Sequence, residues 1–149
     1  MSDDTPRRRR WMSALAQSAV EDLERAWERL PSQPAYRVLR GPEVGSVMVR
    51  GRAGGTGAVF NLGEMTVTRC TVALASGVVG HAYVSGRTRR HAERAAVLDA
   101  LLQDPATGAS LEETVIAPLI ESREARRRCV AARAAATRVE FFTMVRGEE

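Results

Sequence analysis

The chain has 149 residues, 44% hydrophobic but only 5% aromatic, and carries a net charge of +4. That length suits one domain with a proper core, built mainly from alanine, valine and leucine. All 22 basic residues are arginine, yet they are spread along the chain with few stacking aromatics, and no stretch approaches the roughly 18 apolar residues of a membrane span, so neither nucleic acid nor a membrane is the expected partner.

Residues 1–10 are polar and charged and read as a disordered, frayed tail. Arg7 to Arg10 before an apolar run has the look of an export signal, but the run ends by Glu21 in an amphipathic pattern without a small-residue cleavage site, so a cytoplasmic chain is expected. Trp11, Leu15, Val20, Leu23, Trp27 and Leu30 recur at helical spacing, with Glu21 and Arg25 as a favourable pair, which predicts one or two helices closed by Pro31 and Pro34.

From Tyr36 the period changes. YRVLR, SVMVRGR, EMTVTRCTVAL and VVGHAYVSG are β-branched and alternating, separated by GPEVG, GGTG and ASG. They predict an antiparallel meander of about four strands. The glycine cluster Gly54, Gly55, Thr56, Gly57 is read as a hairpin turn in preference to a phosphate nest, because it lacks the Lys-Ser/Thr ending of a P-loop and falls between two strands. Cys70 and Cys129 have no CxxC or His-Cys spacing near them, so neither a metal site nor a disulfide is signalled.

The most informative stretch runs from Gly77 to Leu102, where a strand breaks at Gly86 into a helix that opens on arginines. Cations in a helix's first turn oppose its dipole and call for a negative group: a phosphate-bearing ligand, a partner's acidic surface, or a neighbouring Glu. Arg87, Arg90 and Arg94 share a face at this junction. His91 could serve as a general base beside Glu93, but it continues the apolar face of Ala95, Leu98 and Leu102 and is read first as a buried, hydrogen-bonded histidine. His81, inside a strand, is read as structural.

After Asp104-Pro105, Ser110 and Glu113 have the spacing of a capping box opening a short helix, which Pro118 interrupts before a longer helix to about Thr137. Ser122, Ala125, Cys129, Ala132 and Ala136 give that helix a face of small residues. The last segment, with Val139, Phe141, Phe142, Met144 and Val145, is too apolar to dangle in water and is expected to dock on another chain in preference to folding back. The sequence thus reads as an α+β domain over residues 11–149, with helices on one face of a sheet and 138–149 as a docking tail. No GxSxG, HExxH or paired acids announce catalytic residues.

Five motifs together carry a resemblance: GGTG at 54–57, GE-MT-TR at 63–69, GRxxxHAER at 86–94, an ETxIAPL-like stretch at 113–119, and RVEFFTMVRG at 138–147. In order and spacing they resemble the PhnG family, over nearly the whole chain. The resemblance implies an accessory subunit of the carbon-phosphorus lyase core complex in organophosphonate catabolism, with PhnI as the direct partner and PhnJ and PhnH alongside. It implies a role in making α-D-ribose 1-methylphosphonate 5-triphosphate from ATP and methylphosphonate, with release of adenine. ATP is then a substrate of the complex, S-adenosylmethionine (SAM) and an iron-sulfur cluster belong to PhnJ, and this chain holds no cofactor, metal or catalytic residue of its own. The alternatives are that His91, Glu93 and Arg94 enter a shared active site, or that the basic surface binds nucleic acid. Thr88-Arg89-Arg90 departs from the family pattern, which is less basic there.

Overall fold

The computed structural model describes residues 5–53 and 56–138. The elements in order are α1 (Thr5–Gln17), α2 (Val20–Glu28), β1 (Tyr36–Arg52), β2 (Val59–Leu74), β3 (Val79–Ser85), α3 (Arg89–Leu102), α4 (Gly108–Leu111), a π-helical turn (Glu112–Ile116) and α5 (Ala117–Ala136). The strands form one antiparallel sheet in the order β1-β2-β3.

Helix α3 is the centre of the molecule. His91, Ala92, and every residue from Arg94 to Ala100 are buried, as is Leu102. A helix covered all round in this way needs small side chains where it meets its neighbours closely. Four alanines and the backbone at Gly80 provide for this: a Cβ on Gly80 would sit 2.0 Å from the Ala96 carbonyl oxygen and 2.7 Å from the Ala100 nitrogen. Cys70 and Val72 of β2, with Ala82 and Val84 of β3, cover one side of α3. Trp11, Leu15, Leu23 and Trp27, joined by Val115, Ile116 and Leu119, complete the core.

The α+β architecture agrees with the sequence reading, with three strands in place of four. GPEVG does not turn the chain. Register shifts between Val38 and Arg40 and between Arg40 and Glu43 absorb Gly41 and Pro42 as bulges within a single strand. Because β1 lies at the sheet edge, a proline there removes no indispensable ladder bond.

Further expectations change. Residues 5–10 belong to α1 and not to a frayed tail, because Arg8 reaches the buried Asp99 and Arg7 reaches Glu112. Ser110 forms no capping box: it lies inside α4, which starts after Thr107 without a side-chain cap. Pro118 opens the longer helix as expected, although the helical backbone runs through it without a break. It sits in the first turn of α5, after a wider turn in which the Ala117 N–H donates to the Glu112 carbonyl five residues back. Beyond Arg123 the described part of α5 is exposed throughout.

Candidate functional site

The β3-to-α3 junction gathers the residues singled out by sequence. Gly86 turns the chain with a φ of +91°, and the Thr68 hydroxyl donates to its carbonyl at 2.7 Å. His91 is buried, with Nε2 2.8 Å from the Leu15 carbonyl. A carbonyl only accepts, so Nε2 is the protonated nitrogen and its lone pair is not free to act as a base there. This is the buried, hydrogen-bonded histidine of the first reading. Glu93, two residues on, points elsewhere and accepts a hydrogen bond from the Tyr36 hydroxyl at 2.8 Å.

The negative group facing the arginines is Glu24 of α2. Its Oε1 lies 3.2 Å from Arg94 Nη1 and 3.6 Å from Arg90 Nε. Arg94 is buried over the Trp27 ring, 5.4 Å from its centroid. Its Nη1 pairs with Glu24 by charge without an aligned hydrogen bond. Arg87 is exposed and has no ion pair among the described residues. A shallow pocket of about 480 Å³ lies here, bounded by Trp27, Gln33, Tyr36, Arg90, Glu93 and Arg94. Glu24 and Glu93 balance Arg90 and Arg94, so the pocket is not an electrostatic trap for a polyanion. Burial, then the Glu93 carboxylate, pushes the Tyr36 hydroxyl up to about 12. Burial likewise pushes the Cys70 thiol up to about 11. Both groups are neutral and unreactive at ordinary pH.

Thr56 and Gly57 lie in the connection between β1 and β2, where a Cβ on Gly57 would sit 3.0 Å from the Ala53 carbonyl oxygen. Gly54 and Gly55 fall outside the described residues, as do Phe141, Phe142, Met144 and Val145. Among the described residues no cluster of His, Cys, Asp or Glu could hold a metal ion, and no helix is long and apolar enough to cross a membrane.

A surface that sequence reasoning missed is the hairpin of β1 and β2. β3 pairs with β2 only over Val67 to Ala73, so Ser46–Arg52 and Val59–Thr66 continue as a two-stranded arm. Eight residues of strand make that arm roughly 26 Å long. Nine of the eleven exposed large hydrophobic side chains among the described residues lie on β1 and β2. Met48, Phe60, Leu62 and Met65 are among them, with Leu62 58% exposed. A hairpin wet on both faces is marginal by itself, and apolar surface concentrated in this way makes the arm a candidate docking surface. The available signal was the apolar residues on both parities of VMV and of VFNL, where a strand with one solvent face shows polar alternation.

Residues 6–147 match the model of the family described as phosphonate metabolism protein PhnG. The chain is also 47% identical, over 99% of its own length and 96% of the relative's, to the alpha-D-ribose 1-methylphosphonate 5-triphosphate synthase subunit PhnG of Rhizobium meliloti (strain 1021).

Proposed function

Since the chain belongs to the PhnG family, we propose that it is an accessory subunit of an α-D-ribose 1-methylphosphonate 5-triphosphate synthase in organophosphonate catabolism. The reaction it supports joins methylphosphonate to C1 of the ribose of ATP and releases adenine, the triphosphate remaining at C5. The observation that carries this reading is the bare apolar hairpin, on a chain that resembles, end to end, a protein named as a subunit. Its role is to dock and support, with catalysis placed on its partners.

Within this proposal PhnI is the direct partner, with PhnH and PhnJ in the same assembly, and SAM and the iron-sulfur cluster reside on PhnJ. The segment containing Phe141, Phe142, Met144 and Val145 adds a second docking element. A shared active site through His91, Glu93 and Arg94 is the weaker reading, because Leu15 already engages His91 and Glu24 already pairs with Arg94. The test is co-expression with the partner subunits, followed by growth of a strain lacking its own subunit on methylphosphonate as sole phosphorus source. Co-purification and rescued growth are expected, with both reduced by Phe60→Ser plus Leu62→Ser. An isolated chain that converts ATP and methylphosphonate unaided would sink the proposal.

A further inference from the structure

The free edge of the sheet opposite the hairpin, β3, is only partly closed. The His81 N–H donates to Asp99 Oδ2 at 2.9 Å, and the Val79 carbonyl accepts from Gln103 Nε2 at 3.0 Å. In an antiparallel ladder such outward-facing groups recur at every second residue, so those of Tyr83 also point away from β2. Two side chains therefore cap the first half of the edge. The Tyr83 N–H and carbonyl have no hydrogen-bond partner among the described residues.

That uncapped half borders a cleft of about 830 Å³ whose other wall is α1. Trp11, Met12, Leu15 and Ala16 line it from the helix, and Ala82 and Val84 from the strand. Its charge is positive. Arg8 and Arg9 both line it, and only Arg8 has a carboxylate, Asp99. At the Ser13 and Gln17 end stands Arg123, whose Nη1 lies 3.5 Å from Ser13 Oγ and 3.3 Å from Gln17 Oε1, while its buried Nε has no partner. A strand edge with open main-chain groups beside an apolar helix wall is the geometry in which an extended segment adds as a further strand.

We propose that this groove receives an extended segment of a partner subunit, paired with β3 at Tyr83, apolar toward α1 and carrying a carboxylate toward Arg9 and Arg123. The proposal rests on the accessory-subunit reading and adds to it a second, main-chain contact distinct from the hairpin. His81 to Ser85 spans about five residues, or roughly 16 Å, the length of one short strand.

The test uses the full chain co-expressed with the partner subunits, in wild-type form and as Tyr83→Pro and Ala16→Trp. Proline removes the outward N–H without touching the β2 ladder, and tryptophan fills the cleft from the helix side. Each variant is expected to keep its thermal midpoint and to bind its partners about tenfold more weakly, the worth of one main-chain hydrogen bond with its packing. Hydrogen exchange at the Tyr83 amide should slow on assembly by a similar factor. Wild-type affinity for both variants, with unchanged Tyr83 exchange, would overturn the groove while leaving the docking reading intact. Failure of the wild-type chain to assemble at all would remove the reading beneath it. Protection of Tyr83 in the free chain that disappears on deletion of residues 139–149 would assign the groove to the chain's own terminus and overturn the partner.

Discussion

The Asp99→Asn substitution should damage this protein severely although it changes a single group. Asp99 is 0% exposed and is met by donors from three directions. Trp11 Nε1 lies 2.8 Å from Oδ1, Arg8 Nη2 2.7 Å from Oδ2, and the His81 N–H 2.9 Å from Oδ2. Those contacts fasten α1 and the edge of β3 to α3. Asparagine keeps the shape but turns one acceptor into a donor facing donors and leaves Arg8 without its counter-charge. Removing one member of a buried pair costs about 3–5 kcal/mol. The Arg8 side chain is 34% exposed and can rehydrate, which places the loss at the lower end, about 3 kcal/mol, against a total stability of about 5–15. Thermal unfolding of the isolated chain reads this directly, with an expected fall in midpoint of about 10 °C. Arg8→Met is the companion: the neutral donors of Trp11, His81 and Gln103 remain, but the buried carboxylate loses its cation, so a loss of about 3 kcal/mol is expected there too. A loss under about 1 kcal/mol for either variant would refute the view that the buried pair is the fastening point.

Gly80→Ala should cost about 3 kcal/mol or more, because β3 must move away from α3 to relieve a 2.0 Å contact with the Ala96 carbonyl; a variant with native denaturant midpoint would contradict that packing. Thiol labelling should modify the exposed Cys129 quickly and the buried Cys70 only after unfolding; equal rates at both in the folded chain would show the β2 strand to be loose. Asp22 accepts from the Ser122 hydroxyl at 2.6 Å and pairs with Arg126 and Arg25, which lowers its carboxyl to about 2 from 3.8. A carboxyl depressed on folding stabilises above its unfolded value, so this α2–α5 contact is fully present above pH 3.8 and is lost as pH falls toward 2, with about 1 kcal/mol after screening of the exposed arginine ends. Ser122→Ala should flatten that part of the acid-stability profile, and an unchanged slope would count against the assignment.

Much of the fold was legible in the chain because its elements carry local signals. The Trp11 to Trp27 spacing, the alternation in β3 and the break at Gly86 each depend on neighbouring residues alone. What escaped depended on distance. Glu24, which answers Arg90 and Arg94, lies on another helix, and no local pattern ties an exposed-looking acid in α2 to the start of α3. Asp99 was hidden within AAVLDALL, although a lone acid inside an apolar run is itself a sign of buried donors. GPEVG has turn composition, and only its pairing with Arg69 and Thr68 across the sheet shows that the strand runs through it. The hairpin surface was missed for a related reason: each of its strands looks ordinary until their shared length beyond β3 is seen.

The two kinds of exposed sheet surface differ in composition, and that difference separates water from a partner as the intended neighbour. Over the region where β2 pairs with β3, the face turned away from α3 carries Arg69, Thr71, His81, Ser85 and one large side chain, Tyr83, with Arg69 paired to Glu43 and Thr71 bonded to His81. Such a face satisfies its own polar groups and can remain wet. On the arm, the strands carry valine, methionine, phenylalanine and leucine instead, with no helix of the described chain laid over them. A chain with only 5% aromatics, which buries alanine against backbone to economise on core volume, leaves Phe60 45% exposed at the far end of that arm. Large apolar side chains withheld from a core that lacks them, and placed on the element farthest from it, favour the proposal that the arm docks on another subunit.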